Sequence, residues 1–147
     1  MNFDIREGSH LEAYHVACEI PEFGNQAYDL EEYKRRLVNS HHILIGFYEN
    51  QPVGFKAGYQ RGEQGQFYSW MGGVLPGYRK YGIAKSLAQQ QETWARDKGY
   101  AKIRFKTRNY LKSMLIFSLK NGFNIIEVEP REEVFQNRIL LEKKLND

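Results

Sequence analysis

The residues whose types and spacing promise chemistry lie between positions 74 and 86, in the run VLPGYRKYGIAKS. Three cations, Arg79, Lys80 and Lys85, flank Gly82, and no acidic residue occurs between Glu63 and Glu92. Downstream, Ile83, Leu87, Ala88, Gln91 and Trp94 recur at helical spacing, which predicts a helix from about Tyr81 to Lys98 with Gly99 as its stop. The first N–H groups of such a helix have no internal acceptor, and its dipole favours negative charge at that end. Gly82 lets a bulky group approach the main chain, and Ala84 adds little to obstruct it. The pattern therefore points to a pyrophosphate cradle, with Arg79, Lys80 and Lys85 as charge-assisted donors. The dinucleotide fingerprint G-x-G-x-x-G and the P-loop G-x-x-x-x-G-K-[ST] are both absent, so the cradle is of another kind.

Elements on either side must hold this stretch in place. Ser9 caps a predicted helix in SHLEAYHVACEI, with Leu11, Tyr14, His15 and Cys18 on one side and Pro21 at its end. DLEEYKRRLVNS predicts a second, with Asp29 as its cap. HILIGFYE and PVGFKAGYQ, joined by turn residues, read as an antiparallel hairpin, and QFYSWMGGVLP as a third strand ending at Pro76. After the helix in question, AKIRFKTR predicts a strand and Leu111 to Lys120 a helix closed by Asn121-Gly122. FNIIEVEP and FQNRILLEKKL complete the chain as strands. With a short strand near Phe3 to Ile5, the order is (β)ααβββαβαββ: an α+β class with a mixed sheet flanked by helices.

A chain of 147 residues suits one domain, here spanning 1–147. A net charge of +3 from 21 basic and 18 acidic residues attracts a small anion but falls short of a nucleic-acid-binding stripe. The basic and aromatic run KIRFKTRNYLK is the one segment that suggests a nucleic-acid module, and steeply salt-dependent oligonucleotide binding would reveal it. The single cysteine, Cys18, reads as a core residue and rules out a disulfide framework. His41 and His42 lack partners at metal-ligand spacing and read as surface, so no metal is expected. Charged residues near the start and the lack of a long apolar run point to a cytoplasmic protein without a membrane partner.

Taken whole, Val74-x-Pro76-x-Tyr78-Arg79-x-x-Gly82-Ile83-Ala84, after three strands and before a long helix, resembles the acetyl-CoA-binding motif of the GNAT N-acetyltransferase superfamily. Asn121-Gly122-Phe123 between a helix and a strand is similar to that family's second landmark. The resemblance covers nearly the whole chain. It implies a sheet splayed between its fourth and fifth strands, with the main chain from Arg79 to Ala84, including Lys80, Tyr81, Gly82 and Ile83, around the CoA pyrophosphate. Lys85 and Ser86 complete the helix start, Val74 offers its N–H to the thioester oxygen, and Asn109 contacts the cofactor. The implied activity is acetyl transfer from acetyl-CoA to a primary amine of a small molecule or peptide, with a homodimer common in such families.

Two departures from the family pattern bear on the chemistry. The third strand has no glutamate to serve as base, which leaves ordered water, or Glu19 or Glu22 between the first two helices, as candidates, although loop acids are ordinarily solvated surface. The need for a base depends on the acceptor: a lysine amine costs ~4.6 kcal/mol to deprotonate at pH 7, an α-amine only ~1 kcal/mol. Ser118 stands where many members carry a tyrosine that protonates the departing thiolate, with Tyr110 or Tyr68 as substitutes. Protonating that thiolate is worth only ~2 kcal/mol at pH 7, so the loss is tolerable. These gaps keep a second reading open, a non-catalytic acetyl-CoA sensor.

Overall fold

The computed structural model describes residues 2–26 and 28–145, and the main chain only at Asn25 and Gln26. Its elements are β1 (Phe3–Glu7), α1 (His10–Cys18), α2 (Leu30–Arg36), β2 (His41–Tyr48), β3 (Gln51–Gln60), β4 (Gln66–Val74), α3 (Ile83–Asp97), β5 (Lys102–Arg108), α4 (Lys112–Lys120), β6 (Asn124–Glu129) and β7 (Arg138–Lys144). Short 3-10 turns occupy Pro21–Gln26, Pro76–Tyr78 and Val134–Gln136. The strands form a single sheet, ordered β1-β2-β3-β4-β5-β7-β6, antiparallel except where β4 meets β5. This is the mixed α+β architecture the element order predicted.

The helices cover the sheet through complementary stripes. From α1 and α2, Ala13, Val16, Tyr33 and Leu37 pack against Ile45, Phe55, Tyr68 and Trp70 on one face. On the other, Ile83 and Leu87 of α3 meet Leu44, Val53 and Val74. The period of two along each strand sends Phe55 and Ala57 to one face and Lys56 to the other. Both N-terminal helices start where predicted: Ser9 and Glu12 form a reciprocal capping box, and Asp29 Oδ1 accepts from the Glu32 N–H.

One irregularity organises the rest. Ala57 pairs with Met71 but Gly58 with Ser69, which leaves Trp70 as the extra residue of a β-bulge in β4. β4 and β5 pair only from Gln66 to Tyr68 against Lys102 to Arg104, so their pairing ends next to that bulge and the strands part beyond it. β5 meanwhile stays paired with β7 as far as Arg108. The sheet is thus split between its fourth and fifth strands.

Several local expectations need correction. The helix after the motif begins at Ile83, because Gly82 is its N-cap in a left-handed conformation (φ 87°) and Lys80 is left-handed too (φ 75°). The buried face of α1 is Ala13, Val16 and Ala17; Leu11 and Cys18 are exposed, so Cys18 is not core. His42 is buried, its ring stacked 4.0 Å from that of Trp94. The last strand starts at Arg138, since Val134–Gln136 turns instead of extending.

Candidate functional site

The run Leu75–Ser86 crosses from the free end of β4 to α3 with its main chain bare. The first helical bond is Ser86 N–H to Gly82 O, and the N–H groups of residues 80 to 85 have no acceptor among the described residues. Two left-handed residues, Lys80 and Gly82, curl this loop. A Cβ built on Gly82 or Gly77 would meet no atom within 4 Å, and the first turn of α3 carries no acid. Unpaired donors, a helix dipole and open space together fit a diphosphate.

The slot beyond the bulge is lined by main chain. Leu75 N–H donates to Val53 O of β3 at 2.8 Å. By the alternation of strand amides, Val74 and Gly72 then turn their N–H and C=O groups away from β3, into the slot. These two N–H groups, roughly 7 Å apart on the strand edge, can pair with an extended acyl arm, one of them reaching a carbonyl oxygen. Gly72 and Gly73 sit close to their neighbours: a Cβ on Gly73 would lie 2.6 Å from Ile20 Cδ1, and one on Gly72 3.2 Å from Phe55 O. The glycine pair in SWMGGV was the sequence signal for this wall, and the sequence reading passed over it.

Arg79 and Glu22 sit together, in a manner the spacing did not foretell. Arg79 donates from Nε to Val74 O at 2.9 Å and grips the Glu22 carboxylate with both terminal nitrogens at 2.7 and 2.9 Å. That bidentate contact holds the Glu22 carboxyl down at about 2, well below the usual carboxylate range. Glu22 here is a brace that fastens the Pro21–Gln26 turn to the end of β4, not a free base. The guanidinium of Arg79 is correspondingly occupied, leaving the ammonium groups of Lys80 and Lys85 as the side-chain cations flanking the bare loop.

The remaining candidates are held apart from one another. Ser118 is buried on α4, its hydroxyl 3.7 Å from Met114 Sδ. Tyr110 is exposed at the ring, and its main-chain N–H donates to Phe135 O. Asn109 uses its side chain to fix the turn before β7, donating to Val134 O at 3.2 Å and accepting from Lys112 at 2.9 Å. Tyr68 lies on the α1/α2 face, and burial pushes its phenol up.

On the α3 face of the slot the structure brings together charges that sequence spacing had no means to pair. Lys143 of β7 lies 2.6 Å from Glu92 of α3 and donates to Asn121 O at the end of α4. Lys56, opposite Gly72 in register and on this face, is pushed down to about 8 by burial, partly offset by Glu92. Nearby, Ser69 donates to Gln91 Oε1 at 3.2 Å, and the Gln91 amide reaches His42 Nδ1 at 3.4 Å. Burial, with His41 and Lys98 close by, holds His42 neutral and down at about 4.

Comparison with known proteins agrees with this geometry. The model of the acetyltransferase (GNAT) family matches residues 9–123. No curated protein sequence matches the chain. Among solved structures, the ribosomal-protein-S18-alanine N-acetyltransferase of Escherichia coli superposes with a TM-score of 0.85 at 12% identity, covering 99% of this chain and 96% of that one. The PaiA N-acetyltransferase of Thermoplasma acidophilum, in complex with coenzyme A, gives 0.76 at 20% identity over 98% and 99% of the two chains. A GNAT-family acetyltransferase of Staphylococcus aureus gives 0.79 at 18% identity over 99% and 100%. At such identities the likeness is one of fold.

Proposed function

Because the chain belongs to the acetyltransferase (GNAT) family, we propose that it moves an acetyl group from acetyl-CoA to a primary amine, on a small molecule or a peptide, by direct attack of the amine on the thioester. The observation that carries this reading is the row of unpaired N–H groups from Lys80 to Lys85, placed at the mouth of a slot whose wall offers the N–H groups of Gly72 and Val74. The residues present suit the donor. Tyr81, Gly82, Ile83, Ala84 and Ser86, with Lys80 and Lys85, hold the pyrophosphate; Arg79 holds the loop in shape; Val74 and Gly72 hold the arm and the carbonyl; Asn109 shapes the far wall. A structural neighbour of this fold was solved with coenzyme A.

Proton traffic follows from what each group can do. With Glu22 tied to Arg79, that carboxylate is a poor base, so amines that are partly neutral at pH 7 react best. The thiolate leaves on the α3 side, where Ser118 is a weak acid and the Tyr110 ring is exposed. Lys56, on that side and opposite Gly72, has a proton affinity close to that of a thiol and is the better donor.

The test is turnover. Acetyl-CoA is incubated with a panel of amines, and both CoA release and the acetylated product are measured, alongside CoA binding by calorimetry. Product from at least one amine, with binding abolished or weakened at least tenfold in Gly82→Val, is the expected result. Tight CoA binding with no product from any amine would assign the chain to the sensor reading instead.

A further inference from the structure

The two faces of the split sheet differ in charge, and the difference bears on which amine is used. The inference rests on the acetyl-transfer reading above. A donor whose pyrophosphate sits at the start of α3 reaches the slot from the α3 face, so the acceptor must approach from the face that carries α1 and α2.

Strand register states what lies on that approach. Ile103, Phe105 and Thr107 of β5 pair with Lys143, Leu141 and Ile139 and point toward α3, where Lys143 meets Glu92. Lys102, Arg104, Lys106 and Arg108 therefore all point the other way, to the acceptor's side. Glu142 accounts for two of them, lying 3.6 Å from Lys102 and 2.7 Å from Arg104. Lys106 and Arg108 have no acidic partner among the described residues, and Arg108 spends one terminal nitrogen on Gln136 O at 3.1 Å. Both lie just past Arg104, the last β5 residue paired with β4, so they flank the open slot.

The closed end of that approach, where β4 and β5 are still paired, repeats the pattern. Arg61 stacks over the Tyr68 ring at 4.6 Å, and Tyr68 is the register neighbour of Arg104. It too has no acidic partner among the described residues. Arg36 packs against Trp70 at 4.9 Å and donates to the Tyr59 hydroxyl, while a single carboxylate, Glu32, serves both Arg35 and Arg36. Arg35, Arg36, Tyr59 and Arg61 line a cavity of about 430 Å³ that adjoins Trp70 through Tyr59 and Arg36. Trp70 Nε1, buried in the bulge, has no acceptor among the described residues and adds one more donor without a partner. Cations outnumber carboxylates along this face, and Glu32, Glu142 and Glu129 are already engaged by arginines.

We infer that the acceptor is an anionic amine, one bearing a carboxylate or phosphate a few bonds from its amino group, which is held between Arg61 at the closed end of the slot and Lys106 and Arg108 along its β5 wall. A cationic polyamine would meet repulsion from the same groups, and a neutral amine would forgo the contact.

Matched acceptors test this: phenylalanine against phenylalaninamide, glutamate against its diamide, phosphoethanolamine against ethanolamine, with spermidine as the cationic arm. We expect kcat/KM to favour the anionic member of at least one pair by tenfold or more, and that preference to shrink with added salt. In Lys106→Gln and Arg61→Gln the preference falls to about threefold or less, while the Kd for CoA stays within twofold of the unaltered chain. Which pair responds separates carboxylate from phosphate. Equal use of both members of every pair, a preference for spermidine, or a preference that survives both substitutions would overturn the inference while leaving acetyl transfer intact. Absence of product from every amine, with CoA bound, would overturn the transfer reading and this inference with it.

Discussion

The two sides of the slot are built to different standards. β2, β3 and β4 are packed from both faces, and Ile45, Phe55, Ala57 and Phe67 are entirely shielded. Across the slot, β6 is an edge strand on which Ile125, Ile126 and Val128 stay 48, 41 and 46% exposed, and α4 buries only Ser118. Among the described residues, the second side is joined to the first near the closed end alone, by the short β4–β5 ladder, by the buried cluster of Phe67 and Ala95 with Ile103 and Leu145, by Lys143 to Glu92, and by Arg96 to Leu145 O at 3.0 Å. The lesson is a division of labour: the β1–β4 side is a rigid reference that presents the bare loop, and the β5–β7 side is a wall attached at few points.

The sharpest way to break this comparison is a pair of truncations read by urea unfolding. Phe55→Ala should cost about 3–5 kcal/mol, whereas Ile126→Ser should change stability by about 0.5 kcal/mol or less. Similar costs would show that the two sides are equally consolidated. Next in size is the tie between them: Lys143→Met strands the mostly buried Glu92 carboxylate and should cost about 2–3 kcal/mol, with most of it recovered in the double variant carrying Glu92→Leu.

A third test is confined to the rigid side and uses pH. His42 is held neutral in the folded chain and down at about 4, below its ordinary value of 6.5, so the unfolded chain binds more protons between those values. Stability is therefore full above about pH 6.5 and drains as pH falls toward 4, by about 2 kcal/mol between pH 7 and 5, and His42→Gln should flatten that slope. A smaller effect is expected from Gly82→Ala: a Cβ at φ 87° costs about 1 kcal/mol, and the calorimetric Kd for CoA should weaken with little change in unfolding elsewhere. Smallest is Glu22→Gln. The Glu22 carboxyl sits at about 2 against an ordinary 4.5, so its contribution is present above pH 4.5 and is lost on acidification toward 2. Since the pair is nearly half exposed, solvent screening limits the loss to about 0.5–1 kcal/mol, measurable as a missing acid-side decline in melting temperature.

Much of this was legible in the chain before folding was considered. Ser9 and Asp29 announced two helix starts because capping is local chemistry. The Pro-Gly break, the acid-free stretch and Gly82 marked the bare loop for the same reason. What could not be read was long-range. Nothing near Arg79 in sequence indicates that Glu22, 57 residues away, will occupy its guanidinium. The burial of His42 depends on Trp94 and Gln91, from a helix that folds across it. The exposure of Cys18 turned on a rotation of α1 that Ala13, Val16 and Ala17, small and apolar, decided over Leu11.

The extra residue at Trp70 carries a consequence for how such a site is acquired or lost. Were position 70 deleted, Ser69 and Met71 would meet Gly58 and Ala57 in regular alternation, and β4 would run straight along β5 and zip shut beside it. The caps at Ser9 and Asp29 and the packing of Ile83 and Leu87 on the α3 face do not involve Trp70, yet the slot proposed for the thioester would be closed. An inert sheet and a working transferase would then differ by one codon, and a gap at that place in a related chain would mark it as a relic of the fold.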